Sequence, residues 1–283
     1  MEIKVLANAK INLTLDIVGT NEKGYHLIDS VFQSVSLADR IKITKVDGQL
    51  TVLMPNTDVK CTENIVYLAA QRFFEKAKIS PCVNIEIEKN IPMSAGLGGG
   101  SCDAAVTLLA LNKMFEFPLN DNELHEIALS LGADVPFALK GGTMRATGIG
   151  EKLEALSPMP ECCFVLIKKG TKPSTGQMYA RLDALENLKH PDTKGALEAI
   201  EKGDIKALSK KMDNVFAALW DLKPICDLIK STNPLTVTLS GSGPTAIAVY
   251  ENEDNAKKAF EILNKEKIES YLCKPAKSSC IFE

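Results

Sequence analysis

Hydrophobic and polar residues alternate without a break over the opening of the chain. Val5, Ala7, Ala9, Ile11, Leu13, Leu15 and Ile17 fall on one parity, and Lys4, Asn8, Lys10, Asn12, Thr14 and Asp16 on the other. A period of two predicts a strand, here with a single buried face. Residues 19–24 supply a turn, and Val31, Val35 and 41–43 continue in strand composition. The period lengthens over 64–78, where Ile65, Leu68, Ala69, Phe73 and Ala77 share one stripe, predicting an amphipathic helix. Alternation returns at 83–88, a glycine-rich stretch follows, and 104–114 has a strongly helical composition.

Asn120 and Glu123 have the spacing of a capping box, ahead of a stripe of Leu124, Ile127, Ala128 and Leu131 that Gly132 stops. Residues 143–150 read as extended, and Ser-Pro-Met-Pro at 157–160 reads as a linker. Beyond it come a short strand at 163–167 and two or three helices through 195–231. Two strands at 235–239 and 245–250 flank Ser-Gly-Ser-Gly-Pro, before a helix at 254–265 and a last strand at 268–273. No internal repeat and no regular strand–helix–strand repeat is present, so the pattern predicts an α+β fold rather than a doubly wound sheet.

The chain has 283 residues, a length that suits two modest domains. With 24% charged and 45% hydrophobic residues it is neither disordered nor fibrous in character. A net charge of −3 argues against general nucleic-acid binding but not against an anionic small ligand, which responds to local groups. The opening stretch lacks the apolar run of a signal peptide, and nowhere do apolar residues run long enough to span a membrane. Eight cysteines, none in a CxxC pair, read as reduced cytoplasmic thiols. Three histidines do not suggest a histidine-built metal site.

The segment Gly96-Leu-Gly-Gly-Gly100 lies between a predicted strand and a predicted helix. Glycines there let backbone N–H groups approach a ligand closely, and the helix N-terminus adds positive potential; this suits a di- or triphosphate. It is not a dinucleotide fingerprint, which would need glycine where Ser101 stands, and no Gly-Lys-Ser/Thr triplet or Gly-x-Ser-x-Gly elbow occurs. Lys10 is either a solvated strand lysine or a functional cation. Asp134, after a helix stop, is either a capping or turn residue or a carboxylate able to take a proton from a hydroxyl beside Lys10. Tyr25 and His26 either pack on their own hairpin or present a stacking face and a hydrogen-bonding edge to a planar base. Gly241 and Gly243 form either a plain hairpin turn or a cup for a ligand.

Pro92-x-x-x-Gly96-Leu-Gly-Gly-Gly-Ser101 resembles the phosphate loop of the GHMP small-molecule kinases. Ala7-Asn-Ala-Lys-Ile-Asn-Leu13, Gly24-Tyr-His26, Leu131-Gly-Ala-Asp-Val-Pro136 and Leu239-Ser-Gly-Ser-Gly243 resemble further motifs of that family in the same order. The resemblance runs over about 5–250. It implies a two-domain GHMP kinase fold, with a ribosomal-S5-like ATP-binding domain at 1–156 and a ferredoxin-like domain at 161–283. It also implies ATP with Mg²⁺ as phosphoryl donor and a small cytidine-diphosphate substrate as acceptor. The reaction implied is phosphorylation of the 2-hydroxyl of 4-diphosphocytidyl-2-C-methyl-D-erythritol, on the non-mevalonate route to isoprenoids.

By the same resemblance Asp134 is the base and Lys10 its partner. Asn64 and Lys89 line the adenine pocket. Pro92, Met93, Ser94, Ala95, Gly96, Leu97, Gly98, Gly99, Gly100, Ser101 and Cys102 cradle the phosphates. Asn12, Tyr25, His26, Tyr179, Gly241 and Gly243 approach the acceptor, with Tyr25 and Tyr179 stacking on cytosine and His26 reading its edge. No nucleic-acid or membrane partner is implied, and the expected state is a monomer or weak homodimer. Asp103 departs from the family's usual asparagine; it suits either the first turn of a helix or assistance to Mg²⁺. The rival readings are a kinase of this family for homoserine or mevalonate, and a catalytically silent sensor on the same fold.

Overall fold

Two long antiparallel strands, β1 (Glu2–Thr20) and β2 (His26–Lys45), form the spine of the molecule. A computed structural model of the protein describes residues 1–55 and 61–283. Among these residues eight strands make one sheet, and its main path ends on β4 (Val83–Glu88) and β3 (Thr51–Leu53). From β2 the sheet branches through β5 (Thr143–Gly148) to β6 (Lys152–Ala155), while β8 (Asp213–Asn214) and β12 (Cys280–Phe282) pair with β1. Four helices cover one face: α1 (Ile65–Ala77), α2 (Gly99–Met114), α3 (Asp121–Leu131) and α4 (Val135–Lys140). The expected capping box at Asn120 and Glu123 is formed, with both of its reciprocal bonds.

A second sheet, in the order β11-β7-β10-β9, is built from β7 (Cys163–Lys168), β9 (Thr236–Leu239), β10 (Thr245–Tyr250) and β11 (Ser270–Cys273). Between β7 and β9 lie α5 (Thr175–Asp183), α6 (Thr193–Glu201), α7 (Ile205–Ser209) and α8 (Lys223–Ile229), and α9 (Glu253–Lys265) joins β10 to β11. The sheet is buried on both faces. Cys163, Val165 and Ile167 pack with α8 and α9, whereas Phe164 and Leu166 pack against β1, β2 and α6. Helices thus cover two largely antiparallel sheets, with α6 packed in the core between them, the α+β arrangement that the pattern predicts.

The single buried face predicted for β1 is wrong. Every residue from Ala7 to Leu15 is buried, the polar set included. Val5 and Ala7 belong to the core under α1–α4, yet Ala9, Ile11 and Leu13, of the same parity, belong to the core shared with the second sheet. A register irregularity between Asn8 and Lys10 separates the two sets. There Ala9 of β1 stands opposite three residues of β2, Val35 to Leu37, a break in the ladder of the kind that bends a strand locally. On its two sides the apolar set of β1 enters different cores, and beyond it Lys10 and Asn12 line the cleft with the glycine-rich loop. The chain also crosses the expected division near 161 more than once, since β8 and β12 both join the first sheet.

Candidate active site

A cleft of about 1070 Å³ runs between the two sheets, lined by β1, the loop between β4 and α2, the start of α4, α5 and the turn between β9 and β10. The loop is shaped by backbone that ordinary residues avoid, with Gly96 at φ 79°, Gly98 at φ 68° and Ser94 at φ 54°. Space requires the glycines as well. A Cβ on Gly96 would lie 2.4 Å from the Ser240 carbonyl oxygen, and one on Gly98 would lie 2.8 Å from Lys10 Cγ. Lys10 N–H donates to the Leu97 carbonyl at 3.0 Å, and Ser240 Oγ donates to the Gly96 carbonyl at 2.8 Å, so the loop is clamped between β1 and the 240–243 turn.

No side chain caps the start of α2, and its first turn, Gly99 to Ser101, lines the cleft. Free N–H groups at an uncapped helix start, behind a loop that tolerates no side chains, fit the phosphates of a nucleotide. The loop's entry is held from below. Asp39 of β2 accepts from the backbone N–H groups of Asn90 and Ile91 at 2.6 and 2.8 Å, and from Lys89 Nζ. Lys89 also donates to Asp103 Oδ2 at 2.7 Å.

Asp103 is the fifth residue of α2, too deep for the first-turn role expected of it, and its other oxygen has no hydrogen-bond partner. Burial, reinforced by Asp39 and opposed by Lys89, pushes its carboxyl up to about 8. Lys89 lines the cleft wall, but its ammonium is committed to these two carboxylates. Asn64 lines the cleft and caps α1, its Oδ1 accepting from Val66 N–H at 2.9 Å.

Lys10 is 5% exposed, which removes the solvated-lysine reading. Its Nζ lies 3.3 Å from Asp134 Oδ2, donates to Asn12 Oδ1 at 3.1 Å and sits 4.3 Å above the centre of the Phe32 ring. Asp134 stands at the start of α4, but its side chain makes no capping bond, leaving it to face Lys10. Asn12 is bonded at both ends: besides Lys10, its Oδ1 accepts from Gly241 N–H at 3.0 Å, and its Nδ2 donates to Ser30 at 2.9 Å. Its amide therefore joins β1 to the turn of the second sheet.

At the far end of the cleft His26 stacks on Tyr179 of α5, with ring centres 4.6 Å apart, and Tyr179 meets the Phe216 ring edge-on at 5.0 Å. Burial pushes the Tyr179 hydroxyl up to about 12. Tyr25 beside them is 59% exposed. His26 Nε2 is 2.8 Å from Asp183 Oδ1, one helical turn beyond Tyr179.

Two expected residues lie outside the cleft. Cys102 is buried in the core under α2, where burial raises its thiol pKa. Gly243 backs onto the Trp220 ring, 2.6 Å from where its Cβ would be, whereas Gly241 does line the cleft. Cleft residues that the sequence reading does not single out include Phe32, Phe216, Lys172, whose Nζ donates to Ser242 Oγ at 2.6 Å, Ser242 itself, and Asp183. The capping box of α5, Ser174 with Gln177, was the available signal for Asp183, because it starts a helix that carries Tyr179 and Asp183 four residues apart.

Comparison with known proteins agrees with this geometry. Residues 64–142 match the family described as GHMP kinases N terminal domain, and 196–269 match GHMP kinases C terminal. The chain is 37% identical over 278 residues to the 4-diphosphocytidyl-2-C-methyl-D-erythritol kinase of Clostridium tetani, covering 96% of this chain and 99% of that one. It superimposes with a TM-score of 0.80 on a crystal structure of 4-(cytidine 5'-diphospho)-2C-methyl-D-erythritol kinase, at 32% identity over 98% of this chain and 99% of that one. A homoserine kinase from Cytophaga hutchinsonii, at 15% identity and a TM-score of 0.73 over 100% of this chain and 97% of that one, shares the fold alone. Loop, uncapped helix and lysine–aspartate pair thus stand in a chain whose two halves each match one domain of a single family, and the chain belongs to the GHMP kinases.

Proposed function

We propose that the protein transfers the γ-phosphoryl group of MgATP to the 2-hydroxyl of 4-diphosphocytidyl-2-C-methyl-D-erythritol. The observation that carries this reading is the position of the Lys10–Asp134 pair, in one cleft with the glycine loop and with the aromatic cluster of Tyr25, His26 and Tyr179. A homoserine or mevalonate acceptor has no base to stack on such a cluster, and a silent sensor has no use for a carboxylate held beside an ammonium.

Asp134 accepts the proton of the acceptor hydroxyl as its oxygen bonds to the γ-phosphorus, while the bond from that phosphorus to the β–γ bridging oxygen breaks and ADP leaves. Lys10, 3.3 Å from Asp134, orients the carboxylate toward the hydroxyl, and Asn12 and the Phe32 ring hold Lys10 in place. The start of α2 and the loop backbone would receive the phosphates, and Mg²⁺ bound with the nucleotide would supply charge neutralisation there. Asn64 and the wall near Lys89 border the adenine end. Tyr25, Tyr179 and His26 take the cytosine.

The test is ADP release from MgATP with the cytidine substrate, homoserine, mevalonate or no acceptor. Turnover with the cytidine substrate alone is expected. Turnover with another acceptor overturns the base pocket, and none with any acceptor despite nucleotide binding supports the silent sensor.

A further inference from the structure

Lys172 lies in the connection between β7 and α5, half-buried, with its ammonium in the wall of the cleft. Among the described residues its hydrogen bond is to a neutral group, Ser242 Oγ at 2.6 Å. Its electrostatic neighbours are Lys10 and Asp134, and the Asp134 carboxylate is already paired with Lys10 at 3.3 Å. Among the described residues Lys172 therefore makes no ion pair of its own. Burial and the repulsion of Lys10 outweigh the pull of Asp134 and lower the Lys172 pKa. A cation kept in so unfavourable a place is satisfied by an incoming anion.

Position identifies the anion's chemistry. Ser242 belongs to the turn that clamps the phosphate loop at Gly96 and is tied to Asn12 through Gly241 N–H. Lys172 thus stands where the phosphate loop meets the Lys10–Asp134 pair. We propose that Lys172 is a phosphate-binding residue supplied by the second sheet, completing with Lys10 and the start of α2 a ring of donors around a phosphate group. The phosphate is either the γ-phosphoryl of the nucleotide or the diphosphate of the acceptor; this inference rests on the kinase reading above.

The experiment is calorimetric titration of the whole protein with CDP and with a non-hydrolysable MgATP analogue, alongside steady-state kinetics, for wild type, Lys172→Met and Lys172→Arg. A charge-assisted bond lost to methionine weakens one ligand by about tenfold or more, and arginine restores most of that loss. Weakened CDP with unchanged analogue places Lys172 on the acceptor diphosphate and raises KM for the acceptor. Weakened analogue with a lowered kcat places it on the transferred phosphoryl group. Both affinities and kcat within twofold of wild type in Lys172→Met overturn the proposal and leave the kinase reading intact. So does an equal loss of both ligands that arginine fails to restore, the mark of a structural role. If wild type binds neither CDP nor the analogue, the kinase reading falls and this inference with it.

Discussion

Asp134 Oδ2 stands 3.3 Å from Lys10 Nζ, at the head of a helix that it does not cap. A residue at a helix start would ordinarily spend its carboxylate on the first N–H groups; here that carboxylate is free to take a proton. Asp134→Asn is expected to cut kcat at least ~100-fold, the usual weight of a positioned general base. Melting temperature and nucleotide affinity should barely move, because the carboxylate is partly exposed and, among the described residues, makes no hydrogen bond to the loop. A kcat within fivefold of wild type removes Asp134 from the role.

Gly96 and Gly100 belong to one motif but should behave oppositely. Alanine at Gly96 meets the Ser240 carbonyl and strains a left-handed backbone, so Gly96→Ala is expected to cost ~1–3 kcal/mol or more and to abolish turnover. At Gly100, already helical, the nearest atom to a new Cβ is Ile65 Cγ2 at 3.6 Å, an ordinary contact. Gly100→Ala should hold or slightly raise the melting temperature, since alanine favours a helix over glycine by ~1 kcal/mol. Thermal melts of the two variants decide the matter, and equal destabilisation would count against the clamped loop.

The Asp103 carboxyl, pushed up to about 8 by burial, holds a proton in the folded protein that the unfolded chain releases near pH 4. Between those limits the folded state binds more protons, so this group's contribution to stability falls as pH rises toward 8. Asp103→Asn lacks the titration and keeps an acceptor for Lys89. Its melting temperature should gain on wild type steadily from about pH 5 to about pH 8.5. Parallel curves for the two proteins would show that Asp103 stays ionised throughout.

Tyr179→Ala removes the ring on which His26 stacks, and Asp183→Asn removes the charge beside its Nε2. Both variants should weaken CDP, the former by about tenfold on the scale of one aromatic stacking contact, while leaving a MgATP analogue unaffected. Tyr25→Ala should follow the same order. Equilibrium binding with both ligands measures this, and loss confined to the nucleotide would place cytosine elsewhere.

The elements legible in the sequence were those with a long period or a local signal: β1, α1, the α3 capping box and the glycine loop. The change of core along β1 was not legible, because the alternation of apolar and polar residues continues unbroken from Ala7 to Ile17; only the partner strand's register shows the irregularity beyond Asn8. β8 and β12 are two and three residues long and have no period to read. The set of Asp39, Lys89 and Asp103 is scattered along the chain and exists only through folding. Asp103 looked like a first-turn residue because the start of α2 was placed at Ala104, five residues late. Lys172 lies in a loop with no motif around it, and its neighbours Lys10 and Ser242 come from opposite ends of the chain.

The pairing of β12 with β1 makes the working shape of the cleft depend on a contact between distant parts of the chain. Val5 pairs with Phe282, and Asn8, buried next to the irregularity beside Lys10, donates its backbone and side-chain N–H groups to Ser279 and Ser278. Asn8 and Ser278 are 270 residues apart, so this contact closes one of the longest loops the chain contains. Pairings of such separation are slow to form, because their closure entropy is spent before the contact rewards it. The register of β1 beside Lys10 thus rests on a contact that no local stretch of the chain can supply.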